Sequence, residues 1–416
     1  FNLEPLAASN GIFESSYWNE LPEKLIEMGV RTNWLHLYVP DSILPSAVDA
    51  ANQIQAFNQA SNRLQTHVTI EAFLSVTLVC RVLVQWISLM LKSTTLKMSE
   101  NMPVLDELYL WPLFRDYWNN SVFGIAAISN ILYVNMFLAA LREIPKQQTG
   151  VYLHENQSWE KGLVQAWTSY GHGQLVGFAH STVRYWDLRY FFDQRIFTEP
   201  TKNPFPMPQF VAVNGPAAKE TYLAGGFPAD KLIEVEALRS MYVSYLNAQN
   251  ESAKGTRLGN KILILGDYLA SNTTRQLSLF RPIMDLISDY ELTFKPHPAC
   301  PIGEADYPYI SFKTTNKPLS YLLNDFDIVY TGNITSAAAD AYCAGLKVVS
   351  LLDPDTLNLS PLRGRGCGAI FVSNSEQLIQ ALRYLSNRHF KTNKQCNYFT
   401  TDESLCRWLS LLLGTD

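Results

Sequence analysis

The chain has 416 residues, of which 47% are hydrophobic and 17% are charged. A chain of this length is too long for a domain with one ordinary hydrophobic core, so we predict two domains of about 200 residues each. The formal net charge of −5 and the pI of about 5.9 exclude the basic field that drives non-specific nucleic-acid binding, so no nucleic-acid partner is expected.

The N-terminal part of the chain begins with a predicted strand at Trp34–Val39, and its most apolar stretch is His67–Leu91. Glu71, Arg81 and Gln85 interrupt this stretch, and charges are costly inside a lipid bilayer. We therefore expect one or two buried helices here rather than a membrane span.

A regular alternation of strands and helices occupies both halves of the chain. Short apolar runs predict strands, and the patterns between them predict helices. The predicted strands are Gly150–Leu153, Leu175–Ala179, Phe210–Val213, Leu232–Val235, Lys261–Leu265, Leu292–Lys295, Ile328–Tyr330 and Lys347–Leu351, and the predicted helices are Trp159–Tyr170, Ala217–Ala224, Thr274–Ser288 and Ser336–Ala344. Apolar strands that alternate with helices are typical of parallel sheets covered on both faces. The sequence thus predicts an α/β fold with two Rossmann-like domains that face each other across a cleft.

The predicted boundary between these domains is the polar segment 247–260 (NAQNESAKGTRLGN), whose composition is typical of a linker. Residues 1–246 and 261–416 are the two predicted domains. Ligands of such sheets bind beyond the carboxyl ends of the strands, where loops and helix N-termini converge. Functional residues are therefore expected in the strand-to-helix loops.

Two loops of the N-terminal domain carry candidate catalytic side chains. Glu155 lies in the segment 154–160 (HENQSWE) after one predicted strand, and His180 lies in the segment 177–190 (GFAHSTVRYWDLRY) after the next. Because both follow strands of one sheet, they are expected to face the same cleft. Glu160 falls inside the following helix, where a structural or solvated role is expected.

The first loop of the C-terminal domain leaves its strand through Gly266 and Asp267 and enters a helix. The helix start offers the hydroxyl groups of Ser271, Thr273 and Thr274. Hydroxyl and backbone N–H groups at a helix N-terminus either bind an anion or simply cap the helix, and the sequence leaves both interpretations open.

The second loop is Lys295-Pro-His297-Pro298, at the end of a predicted strand. Its two prolines fix the backbone around the imidazole, and the lysine adds a positive charge. These residues form a rigid, cationic set of donors for a phosphate.

The third loop leaves its strand through Thr331 and Gly332 and begins a helix with Thr335 and Ser336. Asp340 lies one turn into that helix, where it would reach a ribose or a base. The small residues between them let a ligand approach the start of the helix. The loop is therefore a candidate nucleotide site.

These motifs resemble those of a known family. Lys295–Pro298 followed by 331–337 (TGNITSA) resembles the HP and Ser/Thr motifs with which bacterial sialyltransferases and Kdo transferases hold the CMP of their donors. The N-terminal Glu-Asn…Trp-Glu and His-Ser-Thr segments resemble those of the retaining β-Kdo transferases that build surface polysaccharides. The resemblance in the C-terminal half covers Lys261–Gly368 and implies a GT-B glycosyltransferase.

The resemblance implies that the donor is CMP-β-Kdo or a related nucleotide sugar, with retention of configuration, and that the acceptor is a glycan or lipid-linked glycan of an O-antigen or capsule. Double displacement with retention needs a carboxylate nucleophile and a group that activates the acceptor hydroxyl. Glu155 is the candidate acid/base. Asp230 matches the residue type of the family's nucleophile and Glu236 matches its expected geometry, and the remaining candidates are Asp187 and Asp267.

The carboxylate of the transferred sugar needs a partner of its own. Arg184, Arg189 and Arg239 are the candidates, unless they are ordinary surface residues. No metal or other cofactor is expected, because Lys295 and His297 balance the charge of the departing phosphate and no DxD-like motif occupies a suitable loop.

Six cysteines without paired spacing predict reduced thiols in a cytoplasmic protein, and Phe1–Glu20 lacks the basic start and apolar run of a signal peptide.

A basic cluster precedes a predicted apolar helix at Leu405–Leu413. This helix either holds the protein peripherally at the inner face of the cytoplasmic membrane or docks on its own domain. The basic residues are Arg383, Arg388, Lys391 and Lys394. The chain is also suited to be one module of a larger polymerase.

Two alternatives stay open. The loops fit a sialic or other nonulosonic acid transferase, or a UDP-sugar transferase, as well as a Kdo transferase. A non-catalytic sugar-nucleotide-binding module would keep Lys295, His297 and Ser336 but would not need Glu155.

Overall fold

The computed structural model describes residues 3–41, 43–61, 63–102, 104–198, 204–246, 260–365, 368–386 and 398–414. They form an α/β protein that divides into two compact units. Unit one is Phe1–Phe178 with Arg195–Val211, and unit two is Ala179–Gln194 with Ala212–Asp416.

The N-terminal part of unit one is mainly helical. Its helices are α1 (Pro5–Ser9), α2 (Leu21–Glu27), α3 (Ala47–Ala60), α4 (Val76–Ser93), α5 (Met98–Asn101), α6 (Trp111–Val122), α7 (Ile125–Glu143), α8 (Ser158–Ser169) and α9 (Arg195–Thr198). Strands β1 (Thr32–His36) and β2 (Gln65–Thr69) pair in parallel, whereas β3 (Val104–Leu105) and β4 (Leu108–Tyr109) form an antiparallel hairpin.

A further sheet has four strands, in spatial order β5 (Thr149–Leu153), β6 (Gln174–Ala179), β7 (Phe210–Val213) and β8 (Leu232–Glu234). β5 and β6 pair in parallel, with Tyr152 opposite Gly177. A Cβ atom on Gly177 would lie 3.0 Å from the side chain of His154 and 3.1 Å from the hydroxyl of Tyr152. Glycine thus lets β6 pass close to the side chains at the end of β5.

The largest sheet lies in unit two and has six strands, all paired in parallel. They are β9 (Lys261–Leu265), β10 (Glu291–Lys295), β11 (Lys313–Thr314), β12 (Ile328–Thr331), β13 (Lys347–Leu351) and β14 (Ile370–Val372). Their spatial order is β11-β10-β9-β12-β13-β14. This is the Rossmann order 3-2-1-4-5-6, which reverses between its first and fourth strands. The ligand-binding switch point of this sheet therefore lies between β9 and β12.

Both faces of the six-stranded sheet are buried. Ile262 and Ile264 of β9 join one hydrophobic cluster, and Leu263 and Leu265 join a second one on the opposite face. Successive residues of a strand point to opposite faces, so this uninterrupted apolar strand fills both cores. The helices of unit two are α10 (Pro216–Ala224), α11 (Ala270–Ser278), α12 (Leu319–Leu322), α13 (Ala337–Cys343), α14 (Ser375–Ser386) and α15 (Cys406–Leu413).

One predicted helix is shorter than expected. The sequence predicts a helix over Thr274–Ser288, but α11 ends at Ser278 and a 3₁₀ segment follows at Arg281–Ile287. Pro282 explains the break, because proline lacks the N–H that an α-helical turn needs and its ring clashes with the preceding turn.

The prediction of buried helices over His67–Leu91 is wrong in two respects. The stretch starts in β2 and a 3₁₀ turn at Ile70–Phe73 before α4 begins. The described buried side chains of α4 are only Leu78, Val82 and Ser93. The helix packs on α7 along one face, so most of its apolar residues lie at the surface. By length and composition alone, α4 and α7 are both apolar enough to cross a membrane.

The predicted linker 247–260 lies outside the described residues except for Asn260, so the domain boundary stays a prediction. Unit two also contains residues 179–194 and 212–246. The C-terminal segment contacts them directly, since Tyr398 Oη donates to the Val183 carbonyl at 2.7 Å and Thr400 N donates to the Asn214 carbonyl at 3.0 Å.

Among the described cysteines, the prediction of reduced thiols is wrong at Cys343. Cys80, Cys300 and Cys406 are free, but Cys343 at the end of α13 is disulfide-bonded. Spacing along the sequence does not reveal which cysteines the fold brings together.

Candidate functional site

Three loops meet at the switch point of the six-stranded sheet. Loop A (residues 266–269) follows β9, loop B (residues 296–298) follows β10, and loop C (residues 332–336) follows β12. Because β10, β9 and β12 are parallel neighbours, their carboxyl ends share one edge of the sheet. The structure thus brings together the three loops that the sequence singles out in this half of the chain.

Loops A and B are held against each other. Gly266 N donates to the Lys295 carbonyl at 3.0 Å, and a Cβ atom on Gly266 would lie 3.0 Å from the Phe294 ring. The ring of Tyr268 lies edge-on to that of His297, with centroids 6.2 Å apart. The glycine at the strand end therefore permits the close approach of the two loops.

Loop A is closed by its own hydrogen bonds. Asp267 is 1% exposed, and its Oδ1 accepts from Leu269 N at 3.1 Å, while its own N–H donates to Thr273 Oγ1 at 2.9 Å. Thr274 Oγ1 and Tyr307 Oη share a hydrogen bond of 2.8 Å. Thr273 is thus structural, whereas Ser271 and Thr274 are the exposed hydroxyl residues of this helix start.

A group of buried acceptor oxygens lies between loops A and C. A Cβ atom on Gly332 would lie 3.3 Å from Asp267 Oδ2 and 3.5 Å from Gln276 Oε1. These two oxygens accept no hydrogen bond from the described residues, although Asp267 and Gln276 are at least 99% buried. Asn333 Oδ1 in loop C is a separate buried acceptor without a partner among the described residues. Buried acceptors favour N–H or O–H partners, so this group is suited to a hydrogen-bond donor.

Gln276 and Asn333 are absent from the sequence predictions. Gln276 Nε2 donates to the carbonyls of Leu265 and Tyr330, which ties the ends of β9 and β12 together and fixes its Oε1. Asn333 Nδ2 donates to Thr356 Oγ1 at 2.7 Å. In the sequence, a buried glutamine of a helix looks the same as a glutamine that faces solvent. No signal in the sequence therefore identifies Gln276.

Loop B presents an imidazole in a defined orientation. His297 Nδ1 accepts from Ala299 N at 3.1 Å. A neutral ring that accepts at Nδ1 carries its proton on Nε2, which is then a donor. Burial lowers the pKa of Lys295 from its usual value. The loop therefore offers a histidine N–H and a partly buried lysine to an anion.

Of the hydroxyl groups in and beside loop C, some are structural and others lie at the surface. Thr331 is buried at the end of β12, and its Oγ1 donates to the Val349 carbonyl at 3.4 Å. Ser350 Oγ donates to the Gly332 carbonyl at 3.2 Å. Thr335 is half-buried and Ser336 is exposed. Thr335 and Ser336 are therefore the hydroxyl groups of this loop that a ligand would reach.

Asp340, one turn into α13, is partly buried and already hydrogen-bonded. Ser240 Oγ donates to its Oδ1 at 3.1 Å. Burial raises the pKa of Asp340 to about 6, although hydrogen bonds from Ser240 and Tyr242 and the charge of Arg239 oppose this shift. The carboxyl group is thus held by its own unit, and its protonation is favoured by the fold.

Replacing Asp340 with Asn should change how stability depends on pH. The folded pKa of about 6 exceeds the unfolded value, so the proton stabilises the fold fully below about pH 4 and this contribution is lost as pH rises through 6. Between pH 4 and 7 the free energy of unfolding of the wild type should fall by roughly 2 to 3 kcal/mol relative to Asp340→Asn. Urea unfolding of both proteins at several pH values measures this difference, and a constant difference would contradict the assignment.

His180 is buried at the end of β6. Burial, together with the charges of Arg239 and Arg189, lowers its pKa to about 3. The imidazole is therefore neutral at pH 7, and its low basicity makes it a weak general base. Its catalytic role stays a prediction, and the environment favours a hydrogen-bonding role.

Two of the three predicted sugar-binding arginines pair with an aspartate. Arg189 Nε and Nη2 lie 2.9 and 2.8 Å from the two carboxylate oxygens of Asp187, and Arg184 Nε lies 3.7 Å from Oδ2. Burial alone would raise the pKa of Asp187. The hydrogen bonds and charge of Arg189 and the charge of Arg184 have a larger, opposite effect, so the pKa is lowered overall. The fork-shaped pairing holds Asp187 as a structural carboxylate.

In unit one, the loop after β5 is organised by a buried carboxylate. Glu160 Oε1 accepts from the backbone N–H groups of Glu155 at 2.9 Å and Gln157 at 2.7 Å, and its Oε2 lies 2.7 Å from His154 Nδ1. Glu160 and His154 are fully buried, whereas Glu155 is partly exposed. Glu160 is therefore structural, and it fixes the backbone from which Glu155 projects.

The two preferred nucleophile candidates lie at opposite ends of β8. Asp230 is exposed in the 3₁₀ turn Ala229–Lys231 before the strand, and Glu236 is fully buried after it. Glu236 Oε1 accepts from Arg407 N and Oε2 from Trp408 N, both at 3.1 Å. With Asp402 and Cys406 it also forms a group of potential ligand atoms within 4.8 Å. Its backbone contacts make Glu236 a cap of α15 rather than an available nucleophile.

Helix α15 docks on its own unit. Trp408 is fully buried and its Nε1 donates to the Glu236 carbonyl at 2.9 Å, and Arg407 pairs with Glu234. These contacts favour the docked helix of the two alternatives that the sequence leaves open. Part of the basic cluster before it, Arg388, Lys391 and Lys394, lies outside the described residues.

Comparison with known proteins identifies the fold. The sequence matches no protein-family model and no curated protein. UGT89C1 from Arabidopsis thaliana aligns at a TM-score of 0.50 with 10% identity, over 89% of this chain and 86% of its own. HepE from Anabaena, in complex with UDP and glucose, aligns at a TM-score of 0.44 with 11% identity, over 93% of this chain and 100% of its own. UDP-GlcNAc 2-epimerase from Methanocaldococcus jannaschii aligns at a TM-score of 0.47 with 14% identity, over 70% of this chain and 84% of its own.

The likeness to UGT89C1 shows that the chain has a GT-B fold, which confirms the predicted fold class. The predicted cleft, the site residues and the absence of a metal stay predictions.

Proposed function

We propose that the protein is a glycosyltransferase that takes its sugar from a nucleotide donor bound at loops A, B and C. The observation that carries the proposal is the convergence of the three loops at the switch point of a Rossmann-ordered sheet. Ligands of such sheets occupy this position. The GT-B fold is compatible with this activity, but a fold alone does not define a function.

In this proposal each loop has a separate task. The Nε2–H of His297 and the ammonium group of Lys295 bind the donor phosphate, and Ser336 adds a hydroxyl. The acceptor oxygens of Asp267 and Gln276 beside Gly332 favour N–H or O–H groups of the nucleotide. This arrangement neutralises the leaving phosphate without a metal, which is the expectation from the sequence.

The finer proposal is transfer of Kdo from CMP-β-Kdo with retention. A carboxylate attacks the anomeric carbon, and CMP leaves with the bonding electron pair. Glu155 then removes the proton of the acceptor hydroxyl, which attacks the same carbon and releases the carboxylate. Since Glu236 is engaged as a helix cap, we keep Asp230 as the candidate nucleophile, although it lies before β8 rather than after it. We further propose a surface glycan as acceptor and a cytoplasmic location, both implied by the resemblance.

The donor class is the part of the proposal that most needs a test. A UDP-sugar transferase would use the same three loops, because they hold a phosphate and leave the base undefined. The full chain is incubated with CMP-Kdo, CMP-sialic acid and UDP-sugars, and mass spectrometry follows nucleotide release and any sugar–protein adduct. Release from CMP-Kdo alone is expected. Release from UDP-sugars alone would favour the alternative donor, and binding without any release would favour the non-catalytic module.

Replacing His297 with Ala should weaken donor use by about 1.5 to 3 kcal/mol, or roughly 10- to 150-fold, because a charge-assisted bond to phosphate is lost. His297→Gln retains an amide donor and should lose less. Steady-state kinetics and calorimetric titration with CMP measure the effect. Lys313→Ala, which removes an exposed lysine of β11, is the control. Unchanged kinetics in His297→Ala would reject the phosphate role.

A further inference from the structure

The outward face of α4 is apolar. Val76 is 81% exposed, and Val84 and Leu91 are each 67% exposed. Val79, Leu83 and Ile87 are also exposed, as is the free thiol of Cys80. These residues, which we call the outer face, recur every three or four positions and therefore form one continuous stripe along the helix. A surface helix of a globular protein normally turns such a stripe inward.

The opposite side of α4 is fixed in place. Leu78 and Val82 belong to the core of unit one. Gln85 Oε1 accepts from Asn135 Nδ2 at 2.6 Å, and Trp86 Nε1 donates to the Val122 carbonyl at 3.1 Å. The helix cannot rotate to bury the outer face without breaking these contacts. The stripe is therefore a constant feature of the surface of unit one.

A neighbouring helix adds to the exposed apolar area. Helix α6 lies between α4 and α7 in the chain and contacts both helices. Its exposed large side chains are Leu113, Phe114 and Tyr117. Soluble monomers rarely expose so many apolar residues in one region, which marks an interaction surface.

The charges on α4 indicate what covers the outer face. Arg81 and Lys92 are its charged residues, both exposed, and the helix has no acidic residue. They lie three helical turns apart, so both fall on the same flank of the apolar stripe. An apolar stripe flanked by cations is the pattern of a helix that lies in the interface of an anionic membrane. We propose that the outer face of α4 binds the surface of an anionic lipid bilayer.

The packing of α4 distinguishes this role from a membrane span. Helices that span a membrane pack on other spanning helices, whereas Leu78 and Val82 pack into a core that also contains Tyr152 of β5 and Leu175 of β6. In the described part of the chain, the outer face is the exposed apolar side of α4, so the proposed orientation places the helix along the bilayer surface. This inference concerns unit one and is independent of the sugar donor.

Flotation of the full chain with vesicles tests the proposal. Binding is expected to phosphatidylcholine vesicles that contain phosphatidylglycerol, and to be weaker with phosphatidylcholine alone or at high salt. The double substitution Val84→Glu and Ile87→Glu should reduce the partition coefficient at least about tenfold. Leu286→Glu, at a 54% exposed leucine of unit two, is the matched control and should bind like the wild type. Circular dichroism and thermal unfolding verify that the variants fold.

Two further measurements separate the possible partners. Arg81→Gln with Lys92→Gln should remove the preference for anionic vesicles. An environment-sensitive maleimide dye should shift to the blue on vesicles, and the shift should vanish in Cys80→Ser. Absence of flotation at low salt would overturn the proposal, as would equal binding of the Val84→Glu, Ile87→Glu variant. A concentration-dependent dimer that this variant abolishes, without vesicle binding, would assign the outer face to a second copy of the chain instead.

Discussion

A Glu155→Gln variant is expected to lose sugar transfer by about 10²- to 10⁴-fold while its nucleotide affinity stays within a few-fold. The proposed base is lost, but the loops proposed to bind the nucleotide are unchanged, because Glu155 belongs to unit one and loops A, B and C belong to unit two. The amide retains the size of the side chain. Transfer rates and calorimetric titration with CMP measure the two properties separately.

The same experiment separates Glu155 from the nucleophile. In a double displacement, Glu155→Gln can still accumulate the sugar–protein adduct, whereas Asp230→Asn cannot form it. Glu236→Gln should mainly disturb α15, which it caps. Glu71→Gln, at an exposed position of unit one, is the control. Near-normal transfer in Glu155→Gln would show that the chemistry is assigned to the wrong loop and would favour a non-catalytic module.

Glu160→Ala is expected to destabilise unit one by about 3 to 5 kcal/mol, because it leaves a buried partner without its carboxylate. Glu160 is fully buried and holds His154 and the N–H groups of Glu155 and Gln157. Glu160→Gln retains an acceptor oxygen and should lose less. Urea unfolding measures both effects. Because the loop carries Glu155, Glu160→Gln should also lower kcat more than it raises KM.

Asp49 supplies a matched control for Glu160. Both residues occupy the third position of a helix and complete a capping box, but Asp49 is exposed. Asp49→Asn should cost only about 1 kcal/mol or less, which is the ordinary effect of a cap. Similar losses for Asp49→Asn and Glu160→Ala would show that burial adds nothing and would contradict the role given to Glu160.

The sequence predicts the strands of the six-stranded sheet well because they are continuous apolar runs. Lys261–Leu265 and Lys347–Leu351 have their predicted bounds. Prediction from the sequence fails where an element is very short or where its pattern fits both a core and a surface. The hairpin β3–β4 has two residues per strand, too few for a periodic pattern. The pattern of α4 specifies an apolar stripe, but whether the stripe faces a core or the surface depends on the packing of α7.

In the candidate site, too, the sequence predicts the features that have a local signal and misses those that depend on distant contacts. Loops A, B and C are recognisable because glycine and proline punctuate the ends of strands. Contacts between distant segments are not visible in the sequence. Glu236 follows a strand and therefore looks available, but α15, far along the chain, donates its N–H groups to the carboxylate. Gln276 has no local signal because its role depends on the pairing of β9 with β12.

The order of the strands also has a consequence for folding kinetics. β9 pairs with β12, although β10 and β11 lie between them in the chain. Closing such a long segment costs entropy before the contact is formed, so this pairing belongs to the slow, non-local events of folding. During synthesis β9 can pair with β10 early, but its other edge stays open until β12 has emerged. The acceptor oxygens around Gly332 therefore come together only at that late stage.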